Sequence, residues 1–224
     1  MTFGAHFLDA IQRRERAVEH LRSLVDLAPP DPRFTAAVYP NDPPASGQQM
    51  AVSQSSCALV CERGMDAAGV DSPALAEPYG PRCTGQSKTP GAVVFQRTFA
   101  QQHGAWVDTT HVDPESFEPP KPGDMWLQGR GNAAHAVPGW YKGTQARYEH
   151  VGTVEEQGDG LFFTSIEGGQ PGVLRKGRRW VITSGGELWI CGADVPLDSD
   201  GRPNKGARVQ GYLVLTDLPF REGL

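Results

Sequence analysis

The chain has 224 residues and a formal net charge of -5 at neutral pH. That length suits one domain, or one domain with an appendage, and the acidic balance disfavours a nucleic-acid partner held through phosphate contacts. No apolar run is long enough for a membrane span, and the opening Met1–Ala10 lacks the basic-then-apolar pattern of a secretory signal. Synthesis in a cytosol is therefore expected. The cysteines, at 57, 61, 83 and 191, are too sparse for a disulfide scaffold. Gly (27) and Pro (19) make up about a fifth of the chain, which favours loops and short strands over a helical bundle.

In chain order, residues 5–27 read as a helix. Phe7, Leu8, Ile11, Val18, Leu21, Leu24, Val25 and Leu27 recur at three- and four-residue steps, and Pro29, Pro30 and Pro32 end the pattern. Residues 29–50 form a proline-rich wrap or linker. We therefore divide the chain into 1–50, helix and wrap, and 51–224, the main domain. A second helix starts at Ser55 or Ser56, either of which suits a cap, and stops near Gly69. Residues 71–90 read as loop and 91–103 as a further helix. From Lys121 the texture changes to short strands: 125–127, 150–154, 161–166, 180–183, 188–191 and 212–215. Helices first and antiparallel strands afterwards predict an α+β fold.

A thiol attacks as thiolate, and the partial positive charge of a helix N-terminus favours that anion. Cys57 sits at such a position; Cys61 lies one turn further in. Taken alone, the pair reads better as two small apolar residues packing a helix. A cysteine nucleophile also needs a base, and the base needs an orienting acceptor. His150 opens one strand of an expected hairpin and Glu167 closes the other. A two-residue tip at 158–159 places His150 opposite Glu167. A tip at 159–160 places Gly152 opposite Glu167, on the face that carries His150. Either register brings imidazole and carboxylate to one side. The competing reading is a surface histidine and a surface glutamate.

Four segments occur in order: Ser56-Cys57 at a helix start, Pro122-Gly123-Asp124-Met125-Trp126, His150-Val151-Gly152-Thr153-Val154, and Ser165-Ile166-Glu167-Gly168-Gly169. The series resembles the papain-like bacterial cell-wall hydrolases of the CHAP and NlpC type. It spans about residues 54–182. The resemblance implies a papain-like fold, with helices packed on a small antiparallel sheet. It implies Cys57 as nucleophile, His150 as base and Glu167 as the orienting third residue. Gln54, Ser56, Trp126 and Gln170 are the accompanying oxyanion or substrate-binding candidates. The implied substrate is peptidoglycan, cleaved at an amide of the stem peptide, with no metal or organic cofactor. The chain departs from the family's usual pattern in its Ser55-Ser56 pair and in the long stretch between Cys57 and His150.

Without a signal, a wall hydrolase suggests a phage lysin or an antibacterial toxin delivered to a target periplasm, the latter with a cognate immunity protein. The alternatives are a cytosolic papain-like protease, deconjugase or acyltransferase acting on a protein, and an inactive binding module of the same fold. His103, His111 and His135 show no metal-ligand spacing and read as loop residues. The run Arg175-Lys176-Gly177-Arg178-Arg179 reads as a solvated turn. Its sharper reading is a contact for an anionic polymer. Trp106, Trp126, Trp140 and Tyr141 suit either the core or sugar stacking.

Overall fold

The computed structural model describes residues 3–25, 56–71, 97, 99–109, 113–129, 150–159, 161–168, 175–184, 187–192, 199 and 206–222. The proline-rich wrap, most of the 71–90 loop, Gln54, Cys83, His111, His135, Trp140, Tyr141 and Gln170 lie outside the described residues.

Among the described residues the fold is α+β, with two long helices, seven strands and further helical residues at 97 and 99–102. Helix α1 spans Phe3–Leu24 and α2 spans Ser56–Ala67. The strands are β1 (Trp106–Asp108), β2 (Met125–Gly129), β3 (His150–Gln157), β4 (Phe162–Glu167), β5 (Arg175–Ser184), β6 (Glu187–Gly192) and β7 (Gly206–Leu213). All pairings are antiparallel, in the order β1-β7-β2-β3-β4-β5-β6, and β6 also pairs with β7. That last pairing closes six strands into a barrel, with β1 added outside on β7. Closure removes the exposed edges that an open sheet of these strands would carry.

Alternation along the strands divides the apolar residues into two cores. Trp126, Val154, Phe163, Val181, Leu188, Ile190, Val209 and Tyr212 cluster inside the barrel. Met125, Leu127, Val151 and Leu213 point outward and pack with Ala17, Cys61 and Met65 of the helices. α1 is thus part of the main core, although the sequence grouped it with the wrap. Its Leu21 is fully buried and lies over Gly64 of α2, where a Cβ would come within 2.9 Å of Leu21 Cδ1. Glycine at 64 lets the two helices approach this closely. Removing the Leu21 side chain to Ala belongs to the class of core truncations costing about 2–5 kcal/mol.

Polar clasps fix α1 to the barrel. Arg14 donates to the Asp124 carboxylate at 2.7 Å and to the carbonyl of Pro122 at 2.7 Å. Asp124 also accepts from the backbone N–H groups of Lys121 and Leu215. Burial raises the Asp124 pKa, opposed by Arg14 and these two N–H groups. Gly123 adopts φ +89°, and a Cβ there would stand 3.3 Å from Arg14 Cα. The Pro-Gly-Asp turn therefore serves as the seat of α1: the glycine permits the backbone turn and the aspartate ties three segments together. Further along α1, Arg22 donates to the buried Glu155 at 2.7 Å, which also pairs with Lys176.

Several elements differ in extent from their sequence patterns. α1 starts at residue 3 and its regular part ends at Leu24, before the first proline. Residues 106–108, where the sequence pattern gave no strand, form β1, because Trp106 and Val107 pair with Leu213 and Tyr212. The 212–215 strand is the end of a longer β7, and Leu215–Asp217 turn into a 3-10 helix. The basic run at 175–179 is not a turn: it opens β5, paired along its length with β4. Charged residues survive in this strand because alternation sends Lys176 to the outer face, while Arg179 finds a carboxylate inside.

Candidate active site

The β3–β4 hairpin positions the predicted base and its partner. Its tip is wider than either two-residue register allows. The Gly158 N–H donates to the Phe162 carbonyl, which leaves three residues at the tip, and Gln157 pairs with Phe163. Continued unbroken, that register would set Glu167 against Thr153, on the face opposite His150. A bulge intervenes: Val154 pairs with Ser165 and Glu156 with Thr164, so Glu155 is the extra residue. Beyond it Thr153 pairs with Ile166, and the ladder brings Gly152 opposite Glu167. One odd loop and one bulged residue together restore the parity that a two-residue turn at 159–160 would have set.

His150 Nε2 and Glu167 Oε2 lie 2.8 Å apart. The Glu167 side chain is 2% exposed and that of His150 is 15% exposed. An ionised carboxylate only accepts, so the Nε2 hydrogen is the donor in this contact. Glu167 holds more than the histidine. Arg179 Nε donates to Oε1 at 2.7 Å, Arg179 Nη2 donates to Oε2, and Ser165 Oγ donates to Oε1. Burial by itself would raise the Glu167 pKa. Hydrogen bonds from His150 and Arg179, with the charges of both, outweigh that and hold it at about 2. The carboxylate is therefore ionised throughout the physiological range.

Two glycines make room for this network. A Cβ on Gly152 would lie 2.8 Å from Trp126 Cζ2 and 2.9 Å from Glu167 Cγ. A Cβ on Gly177 would lie 2.9 Å from Glu167 Oε1. Trp126, paired with Gly152 across β2–β3, meets the His150 ring edge-on at a centroid distance of 5.5 Å. The Arg179 guanidinium carbon stands 5.3 Å from the centre of the Trp126 ring, so Trp126 backs both Arg179 and the His150 ring.

These contacts change three expectations. Trp126 is 1% exposed, so its ring supports His150 from within the core and offers no open face for a sugar. His150 and Glu167 are not a surface pair: the ring has an aromatic wall and a buried carboxylate. Arg179, read as part of a solvated turn, belongs to the site. Its signal was present in the sequence as alternation, since Gly177, Arg179 and Val181 share one face of a strand.

The thiol side is described through the backbone. Ser56 and Cys57 are the first two residues of α2, in the turn whose N–H groups lack helical partners; their side chains lie outside the described residues. One turn on, Cys61 is fully buried and its sulfur accepts from Thr153 Oγ1 at 3.4 Å. α2 therefore covers the outer face of β3, whereas His150 lies on the inner face at the rim, as the first residue of the strand. His103 is exposed and packs against Phe99, away from the network.

Neither the family models, nor the curated proteins, nor the solved structures contain a match to this chain.

Proposed function

We propose that this protein is a papain-like cysteine hydrolase in which Cys57 is the nucleophile, His150 the base and Glu167 the residue that orients the ring. The observation that carries this reading is the 2.8 Å contact between His150 Nε2 and a buried, ionised Glu167. A carboxylate in that place fixes the tautomer and stabilises an imidazolium, which is what a thiol needs from its base. The reading requires the Cys57 thiol to reach over the barrel rim to His150 Nδ1.

The reaction then runs in two steps. The thiolate of Cys57 adds to an amide carbonyl, with the backbone N–H groups at the start of α2 placed to receive the developing oxyanion. His150 gives its Nδ1 proton to the leaving amine, and the acyl group remains on sulfur. Water, deprotonated by His150, hydrolyses the thioester. The resemblance of the four sequence segments to the CHAP and NlpC type supports peptidoglycan stem peptide as the substrate. It likewise supports a role as a lysin or a delivered antibacterial toxin, the latter blocked by an immunity protein.

Mass spectrometry of purified muropeptides incubated with the protein tests the reading. A cleaved stem-peptide amide with the wild type, and none with Cys57→Ala, is the expected result. Intact muropeptides with the wild type at every pH from 5 to 9 would overturn the substrate. Equal cleavage by Cys57→Ala would overturn the nucleophile.

A further inference from the structure

The resemblance to known hydrolases names three residues, and the geometry adds a fourth. Arg179 enters from β5, four residues beyond Arg175, the register partner of Glu167, and its side chain crosses the space left open by Gly177, whose Cβ would stand 3.7 Å from Arg179 Nε. Its Nε and Nη2 take the two oxygens of Glu167, one each, in the fork geometry that arginine alone among the side chains provides. The same Oε2 receives His150. Among the described side chains, the charged groups meeting on this face with His150 are Glu167 from β4 and Arg179 from β5. β2 contributes the neutral Trp126, and Glu155 with Lys176 occupies the opposite face.

We propose that Arg179 is a positioning residue of this site, locking the Glu167 carboxylate in place for the His150 ring and partly neutralising it. The proposal rests on the catalytic roles given above for His150 and Glu167. The physical argument has two parts. A carboxylate on a flexible stem presents its oxygens in many orientations; a bidentate arginine selects one. A lone carboxylate against a histidine also raises the imidazole pKa and prolongs its protonated state. A second cation on the same carboxylate opposes that effect, so the ring releases its proton to the leaving amine more readily. Arginine does this without itself titrating.

The test separates charge from geometry. In full-length Cys57→Ala protein, the His150 ring is titrated by NMR, with the signal assigned from the spectrum of the Cys57→Ala/His150→Ala protein. Adding Arg179→Gln is expected to raise the His150 midpoint by about one pH unit or more. Arg179→Lys, which keeps the charge, is expected to stay closer to the parent. Arg179→Met preserves the stem across Gly177 and takes the place of Arg179→Gln if the latter does not fold. An unchanged or lowered midpoint in the folded neutral variant would overturn the proposal.

With Cys57 restored, Arg179→Gln is expected to move the alkaline limb of the kcat/KM profile upward by the same amount. Arg179→Lys is expected to lower kcat roughly tenfold with little change in KM, as the fork is lost. A wild-type protein that hydrolyses no muropeptide would overturn the substrate, and the NMR result would still decide whether Arg179 tunes His150.

Discussion

Gly152 stands directly across the β3–β4 ladder from Glu167, and the missing Cβ is what lets the carboxylate stem and the Trp126 ring share that space. The His150–Glu167 contact depends on this vacancy as much as on the two residues that make it. Trp126 and Glu167 are both held, one by the barrel core and the other by Arg179 and Ser165, so neither yields easily to an added methyl group.

Gly152→Ala is therefore expected to destabilise the protein by about 1–3 kcal/mol, as overpacking does in tight cores. Thermal unfolding reads the loss, and the NMR titration of His150 reads the displaced carboxylate. A variant with wild-type stability and an unshifted His150 would show that the site adapts where the packing says it cannot.

Glu167→Gln removes the charge that faces Arg179 and His150 together. Breaking a buried pair by neutralising one member typically costs about 3–5 kcal/mol, because the remaining charge keeps its desolvation. Part of that should return in Glu167→Gln/Arg179→Met, since the unpaired cation is then gone. A double-mutant cycle on urea denaturation measures the coupling. Additive losses in the two single variants would place Arg179 and Glu167 outside one network.

Acid weakens the same pair. Glu167 has a folded-state pKa of about 2, below that of an unfolded glutamate. As pH falls the unfolded chain takes up the proton first, so unfolding is favoured. The stabilisation is complete above roughly pH 4.5 and is lost toward pH 2, and amounts to a contribution on the order of 3 kcal/mol. The stability gap between wild type and Glu167→Gln, followed by urea denaturation across this range, is expected to narrow steadily. A constant gap would mean that the carboxylate charge contributes nothing to folding.

Cys57 is expected to be the thiol that reacts first with iodoacetamide at neutral pH. Cys61 and Cys191 are buried and act as core residues. Peptide mapping after brief labelling gives the order directly. Faster labelling of Cys61 would show that the outer core opens at α2 more readily than its burial allows.

Asp124→Ala is expected to be one of the most destabilising changes outside the site, costing about 3 kcal/mol or more. It strands Arg14 and removes the acceptor for the N–H groups of Lys121 and Leu215. Calorimetry on Asp124→Ala and Arg14→Met separates the contributions. A larger loss for Asp124→Ala is expected, because two backbone donors are orphaned only in that variant.

The sequence by itself determined most of the elements and their order: a period of three to four residues marked α1, cap and stop residues marked α2, and short apolar runs separated by glycine marked the strands other than β1. It also singled out His150 and Glu167 as ends of one hairpin, and both lie where that pattern puts them. What pattern cannot carry is closure and parity. Whether β6 returns to β7 depends on the accumulated twist and register of every strand between them, so the barrel and its two cores appear only in three dimensions. The bulge at Glu155 is similar. Its backbone kink is tied to Arg22 and Lys176, a helix and a strand far away in the chain, and without them local preference alone would not choose between a straight and a bulged ladder. Arg179 was hidden for the same reason: a basic run is solvated by default, and only the tertiary structure placed a buried carboxylate within its reach.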